Sequence, residues 1–318
     1  MDVSTDSIDI LTDLDFYAIP QDVKDSIQVF AAVDTPLLIR ATSTTIRELI
    51  AKATHFYKYG NLSKFTSVNC SSILDNDFDI KFFGELAQSH QAKLTSRRPG
   101  FLFNPDTETV FIDEVECIPL RCQYSIYRAI HKKEIMPVGS NSVIRISTRP
   151  ILGTSKDLFA ELDTGTFRHD LYYALAPFLL PVPALAMNPE RVTIIANNLL
   201  AKYAAQFHTN MLRIGDNAMI ALGRYGWPGD VEELDSTLRR AVLFCKDATI
   251  TSTDTGHYLD TEEIMVEQPS DLKDALRVYE REYIRQSLLR NSDDRPKTAK
   301  ELGISLSSLY RKIEEFRR

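Results

Sequence analysis

The sequence predicts an α/β protein: a parallel sheet flanked by helices, a helical subdomain behind it, and an all-α module at the C-terminus. Three observations carry this expectation. Residues 109–120 read TVFIDEVECIPL, where four β-prone residues run into the acid pair Asp113–Glu114. A short, nearly all-apolar run of this kind suits a strand buried on both faces of a parallel sheet. Val192, Ile195, Leu199 and Tyr203, and then Leu234, Leu238, Ala241 and Cys245, recur at helical spacing. Near the end, residues 296–302 and 306–316 flank Gly303. There Ala299, Leu302, Ile304, Leu309 and Ile313 bury the angle between two short helices.

Composition narrows the class. The chain has 318 residues, room for roughly two domains with their own cores. Apolar residues make up 44% and charged residues 25%, an ordinary globular balance. No apolar run approaches the ~18 residues of a membrane span, and the acidic start MDVSTDSID is unlike a signal peptide. Cys70, Cys117, Cys122 and Cys245 show no CxxC pair, so they read as reduced, mostly core-facing thiols of a cytoplasmic protein. The six histidines are scattered and offer no metal-ligand cluster. Net charge is −7, but residues 295–318 carry seven basic and three acidic side chains. A small basic module on an acidic body fits a DNA-binding appendage, although a solvated basic tail looks the same.

In chain order, residues 1–18 read as a short tail, too few for a sensory domain. Gln21–Ala32 has helical spacing of Val23, Ile27, Phe30 and Ala31, and residues 36–39 form the first buried strand. Arg40–Glu48, RATSTTIRE, reads by itself as a turn in which Ser or Thr caps a helix over residues 46–55. Ligands of parallel sheets bind at the carboxyl ends of the strands, where Asp113 and Glu114 fall; a solvated acidic turn is the plainer reading. Trp227, just before Pro228, packs the helical subdomain. Residues 248–270 hold turn formers and acids and read as a linker. Asp271 opens a long helix with Leu272, Ala275, Tyr279, Tyr283, Ile284 and Leu288 along one face.

Residues 153–175, GTSKDLFAELDTGTFRHDLYYAL, and residues 224–242, RYGWPGDVEELDSTLRRAV, follow VFIDEVECIPL in order. Together these strings resemble the central AAA+ domain of bacterial enhancer-binding proteins, the sigma-54-dependent transcription activators. The likeness runs from about Ile19 to the C-terminus, where LGISLSSLYRKI resembles that family's Fis-type helix-turn-helix. The resemblance implies an AAA+ α/β subdomain over residues 19–187, a helical lid over 188–247, the linker over 248–270 and a DNA-binding domain over 271–318.

The same resemblance exposes departures. The family's phosphate loop is glycine-rich and ends in Gly-Lys, whereas here Ala41, Thr44 and Ile46 stand for glycines and Arg47 for the lysine. Glycines let such a loop turn its N–H groups inward, and β-branched residues in those conformations cost about 1–3 kcal/mol each. In the family the first acid of the pair holds Mg²⁺ and the second aligns water, and Asn69 matches a residue that holds the second. Sensor I becomes Thr154-Ser155. Arg168 matches the first arginine finger, but Ala174 replaces the second, and Glu232 replaces the lid's sensor II arginine. Residues 182–188, VPALAMN, and 88–93, QSHQAK, depart from the family's PPLRER and GAFTGA strings, the latter being the loop that reaches sigma-54.

The expectation is therefore a pseudo-ATPase body with no catalytic residue, in which Asp113, Glu114 and Arg168 are remnants. Arg40, Ser43, Thr45, Arg47, Asn69, Asp113, Glu114 and Ser155 line what is left of the nucleotide pocket. Two alternatives stay open: an ATP- and Mg-dependent sigma-54 activator with a deviant site, and a pocket in which Arg40 and Arg47 take a cyclic dinucleotide. In the C-terminal module, Ser305 caps the recognition helix. Ser307, Ser308, Arg311 and Lys312 face the major groove or its phosphates, and Lys297 approaches the backbone. The resemblance implies double-stranded DNA as partner, a homodimer through the long helices, and contact with RNA polymerase or a paralogous activator.

Overall fold

The computed structural model describes residues 5–86, 96–207, 213–245, 248–256, 284, 287 and 295–315. The chain divides into two units, residues 1–259 and 260–318.

In the first unit a five-stranded sheet is built from β1 (Leu37–Arg40), β2 (Phe65–Asn69), β3 (Thr109–Asp113), β4 (Arg149–Thr154) and β5 (Leu179–Pro181), in the order β2-β3-β4-β1-β5. Every pairing is parallel. Val68, Ile112, Leu152, Leu38 and Leu179 stand in one register row across all five strands. Because side chains alternate along a strand, this row faces one core while Leu37, Ile39, Phe111 and Ile151 face the other. All five residues of β3 are buried, as its apolar run requires.

Helices cover both faces. Against the Val68 row lie α4 (Phe78–Phe83), α5 (Leu120–His131), the short α6 (Ala160–Asp163) and α7 (His169–Leu175). Against the other face lie α1 (Thr5–Phe16), α2 (Gln21–Ala32) and α3 (Thr44–Tyr59), sharing a core with the lid. The lid comprises α8 (Pro189–Gln206), α9 (Asp216–Arg224) and α10 (Asp230–Phe244). Asn188 caps α8 by accepting from the Arg191 amide, and Pro189 opens the helix where no N–H is needed. Trp227 is buried and donates its indole N–H to Leu222 O, so it packs the lid.

Two expected boundaries change. Residues 5–16 are a helix rather than a tail, because Ile10 and Leu14 recur at helical spacing and are buried in the core of the first unit. The start of the expected linker is folded: Thr249–Ile250 pairs with Arg213–Ile214, Ile250 is fully buried, and α11 (Ser252–Gly256) follows. Residues 257–270 and the sigma-54-loop position, 88–93, lie outside the described residues. Cys70 and Cys122 are buried thiols, Cys117 is exposed and Cys245 half-buried. Among the described residues no helix is long and apolar enough to cross a membrane.

In the second unit, α12 (Arg295–Glu301) and α13 (Leu306–Glu315) pack through Ala299, Leu309 and Ile284, with Leu302 and Ile304 against them. Gly303 takes φ +67 between the two helices, a conformation that L side chains rarely adopt. Most of the long helix expected from Asp271 lies outside the described residues.

Candidate functional site

At the carboxyl ends of β1 and β3, the loop after β1 and the start of α3 surround a single buried guanidinium. Helical side chains point back toward the N-terminus, which carries Arg47 out of the first turn of α3 and into the loop. Its Nε and Nη2 donate to Asp113 Oδ1 and Oδ2 at 2.6 and 2.9 Å. Nη1 donates to the carbonyls of Ala41 and Thr42 at 2.7 and 3.0 Å, and Nη2 also reaches Thr44 Oγ1 at 3.0 Å. Arg47 and Asp113 are only 1% and 2% exposed. Gly153 on β4 makes room for this arrangement, since a Cβ there would stand 2.4 Å from Asp113 Oδ1.

The polarity of the loop is thereby inverted. A phosphate loop aims amides inward at oxygen anions; here two carbonyls point inward at a cation. No conformation in this loop calls for glycine. The helix begins at Thr44 with Ser43 as its cap, and no residue of the loop has positive φ. The amide end of α3 is also occupied. Glu232 of the lid accepts from the Thr45 amide at 2.8 Å and from Ser43 Oγ at 2.9 Å, a carboxylate where a helix N-terminus attracts phosphate.

The other predicted pocket residues disperse. Glu114 takes the left-handed conformation at φ 53 and lies 3.9 Å from Arg47 Nη2. Asn69 does not hold it: its Oδ1 accepts from the amide and hydroxyl of Ser71, capping the turn after β2. Thr154 and Ser155 donate their hydroxyls to Glu116 at 2.8 and 3.2 Å. Arg40 pairs with Asp157 at 3.6 Å. Arg168 makes a bidentate pair with Asp170 and lies 5.3 Å from the Tyr124 ring; the Asp170 carboxylate holds its guanidinium above the usual range. Sequence reasoning missed Glu116 as a site residue and treated Glu232 only as a lost arginine. The signal for Glu116 was present in the DEVE string: a third acid two residues after Glu114. Among the described residues no cluster could hold a metal ion.

In the C-terminal unit, Ser305 Oγ accepts from the Ser308 amide at 3.1 Å and bonds Ser308 Oγ at 2.8 Å. The cap expected at Ser305 is present, but it engages the Ser308 hydroxyl as well. Arg295 lies over the Tyr310 ring at 5.1 Å. Lys297 is exposed and Lys312 half-buried, whereas the side chains of Ser307 and Arg311 lie outside the described residues.

A parallel sheet of this order with its helical lid and a helix-turn-helix defines an AAA+ regulator. Residues 18–180 match the Sigma-54 interaction domain, residues 189–270 the AAA+ ATPase lid domain, and residues 275–316 the Fis family of bacterial regulatory proteins. The chain belongs to the sigma-54 interaction domain family. It is 29% identical over 293 residues to the transcriptional regulatory protein ZraR of Escherichia coli strain K12, covering 92% of this chain and 66% of ZraR. It is 28% identical over 300 residues to the regulatory protein AtoC of the same strain, covering 92% and 65%. The crystal structure of NtrX from Brucella abortus in complex with ADP matches with a TM-score of 0.64 at 24% identity, over 93% of this chain and 66% of that one, a likeness of fold. The chain thus spans about two thirds of the length of these relatives.

Proposed function

We propose that this protein is a cytoplasmic DNA-binding transcription regulator whose AAA+ body neither binds nor hydrolyses ATP. The observation that carries the reading is the Arg47 guanidinium, held bidentate by Asp113 and by the carbonyls of Ala41 and Thr42. A triphosphate needs inward amides, a compact lysine charge and a free carboxylate for its metal. Here the amide end is capped by Glu232, arginine replaces lysine, and Asp113 is already neutralised.

The second arginine finger position is Ala174, which cannot stabilise charge on a transferring phosphoryl group. Both arginines behind the cyclic-dinucleotide reading are paired with carboxylates, Arg40 with Asp157 and Arg47 with Asp113. In this account the body serves assembly or contact with RNA polymerase or a paralogous activator. The Fis-type unit, as a homodimer, holds double-stranded DNA. The test is ATP turnover by the purified full chain in Mg²⁺, beside Glu114→Gln. Both should stay at background. Hydrolysis by the native chain that disappears in Glu114→Gln would overturn the proposal and favour a working activator with a deviant site.

A further inference from the structure

We propose that Glu232 and helix α1 are two halves of a built-in clamp that holds the lid against the α/β body without any ligand. Subdomains joined by a short segment move relative to one another unless their interface fixes them, and lids close when a ligand bridges the two sides. In this chain side chains make the bridge.

The first half lies at the start of α3. The Glu232 carboxylate, in the first turn of lid helix α10, reaches across 187 residues of sequence to the Thr45 amide, and also binds Ser43 Oγ. The N-terminal amides of α3 have no partner within their own helix, so the lid supplies one that is negatively charged, as the helix dipole favours.

The second half is α1. Its Ile10 and Leu14 are buried in the core that body and lid share. The carbonyls at its C-terminal end, which a helix leaves unpaired, accept from the lid: Asn198 Nδ2 bonds Phe16 O at 2.8 Å, and Arg191 Nε bonds Tyr17 O at 3.2 Å. Arg191 also donates to Pro183 O at 2.8 Å, in the segment that leads into the lid. On the body side, Lys24 of α2 pairs with Asp15 of α1. A helix packed on α3 is thus stitched to lid helix α8 by hydrogen bonds, while Glu232 stitches α10 to α3.

The clamp rests on the same filled pocket as the proposed function but not on the absence of turnover. Amide hydrogen exchange on the full chain tests it, comparing native protein with Glu232→Gln, Asn198→Ala and the double variant. The expected result is that Glu232→Gln speeds exchange of the Thr45 amide and of α10 at least tenfold. Asn198→Ala should do the same for α8, and the double variant should free the whole lid while β1 and β3 keep native rates. Should Glu232→Gln lose its near-ultraviolet dichroism, Glu232→Asp, which keeps the charge but shortens the reach, is read in its place. Lid exchange unchanged in the double variant overturns the clamp. ATP turnover by a native protein whose lid is protected overturns only the silent pocket, and a freely exchanging native lid without turnover overturns only the clamp.

Discussion

Arg47 and Asp113 form a bidentate ion pair across 66 positions of sequence, with Nε–Oδ1 at 2.6 Å and both side chains almost wholly buried. Taking two charges out of water is costly, and such a pair is tolerated when every remaining donor is satisfied. The two loop carbonyls and Thr44 Oγ1 satisfy the remaining guanidinium donors here. Arg47→Met leaves the Asp113 carboxylate buried alone, and is expected to cost about 3–5 kcal/mol. The double variant Arg47→Met/Asp113→Leu removes both charges and should recover most of that loss. Urea unfolding measures both, and a cost under about 1 kcal/mol for the single variant would mean that water reaches the pair.

His55 sets a pH dependence of stability. Its ring is buried between Tyr59 and Phe65, with Nδ1 bonded to Thr109 Oγ1 at 2.7 Å. Burial pushes its pKa down to about 4, with nearby Glu108 opposing the shift and Arg149 adding to it. The unfolded chain therefore binds the proton first as pH falls. Stability from this group is complete above about pH 6.5 and is lost between there and about pH 4, with a limiting slope of about 1.4 kcal/mol per pH unit. His55→Phe should flatten the stability curve in that window, and an identical slope in the variant would show that carboxylates alone set it.

Much of this was legible in the sequence, for physical reasons that can be stated. The buried strand ending at Asp113 and the helices after residue 188 announced themselves by apolar periodicity, while the AAA+ fold with its lid came from the family resemblance of residues 109–120, 153–175 and 224–242. That the loop after β1 carries no glycine was legible directly. What the loop does instead was not, because Arg47 finds Asp113 and Glu232 finds Thr45 only after the sheet has brought distant segments together. Helix α1 was missed because its apolar stripe is short, with Ile10 and Leu14 as its described buried residues. The role expected of Asn69 failed locally, since Ser71 two residues on offers it a nearer partner.

The C-terminal unit should separate from the body. A chain ending at Glu267 is expected to stay folded and soluble, since the first unit holds its own core, and to lose site-specific DNA binding. Retained binding in a mobility-shift assay would place the DNA contact elsewhere.

Within that unit, Lys312 and Ser305 should fail differently. Lys312→Ala is expected to weaken cognate and scrambled duplexes alike and to reduce the slope of log affinity against log salt by about one. Ser305→Ala removes the cap that holds the Ser308 amide and hydroxyl, and should cost about 1 kcal/mol of the unit's stability. Because Ser308 shares that cap, Ser308→Ala is read by the same unfolding experiment before any change in site preference is ascribed to a lost base contact. Equal salt slopes for native and Lys312→Ala would remove Lys312 from the phosphate contacts.

The most direct test of the filled phosphate site is a thermal-stability titration of the full chain with Mg²⁺-ATP. A ligand that binds only the folded state stabilises it by about 2.7 kcal/mol at one hundred times its dissociation constant. The midpoint is expected to stay flat into the millimolar range, because Arg47 already occupies the Asp113 carboxylate that would face a metal and Glu232 the Thr45 amide that would face a phosphate. A midpoint that rises and saturates with Mg²⁺-ATP, and ceases to rise in Asp113→Asn, would contradict it.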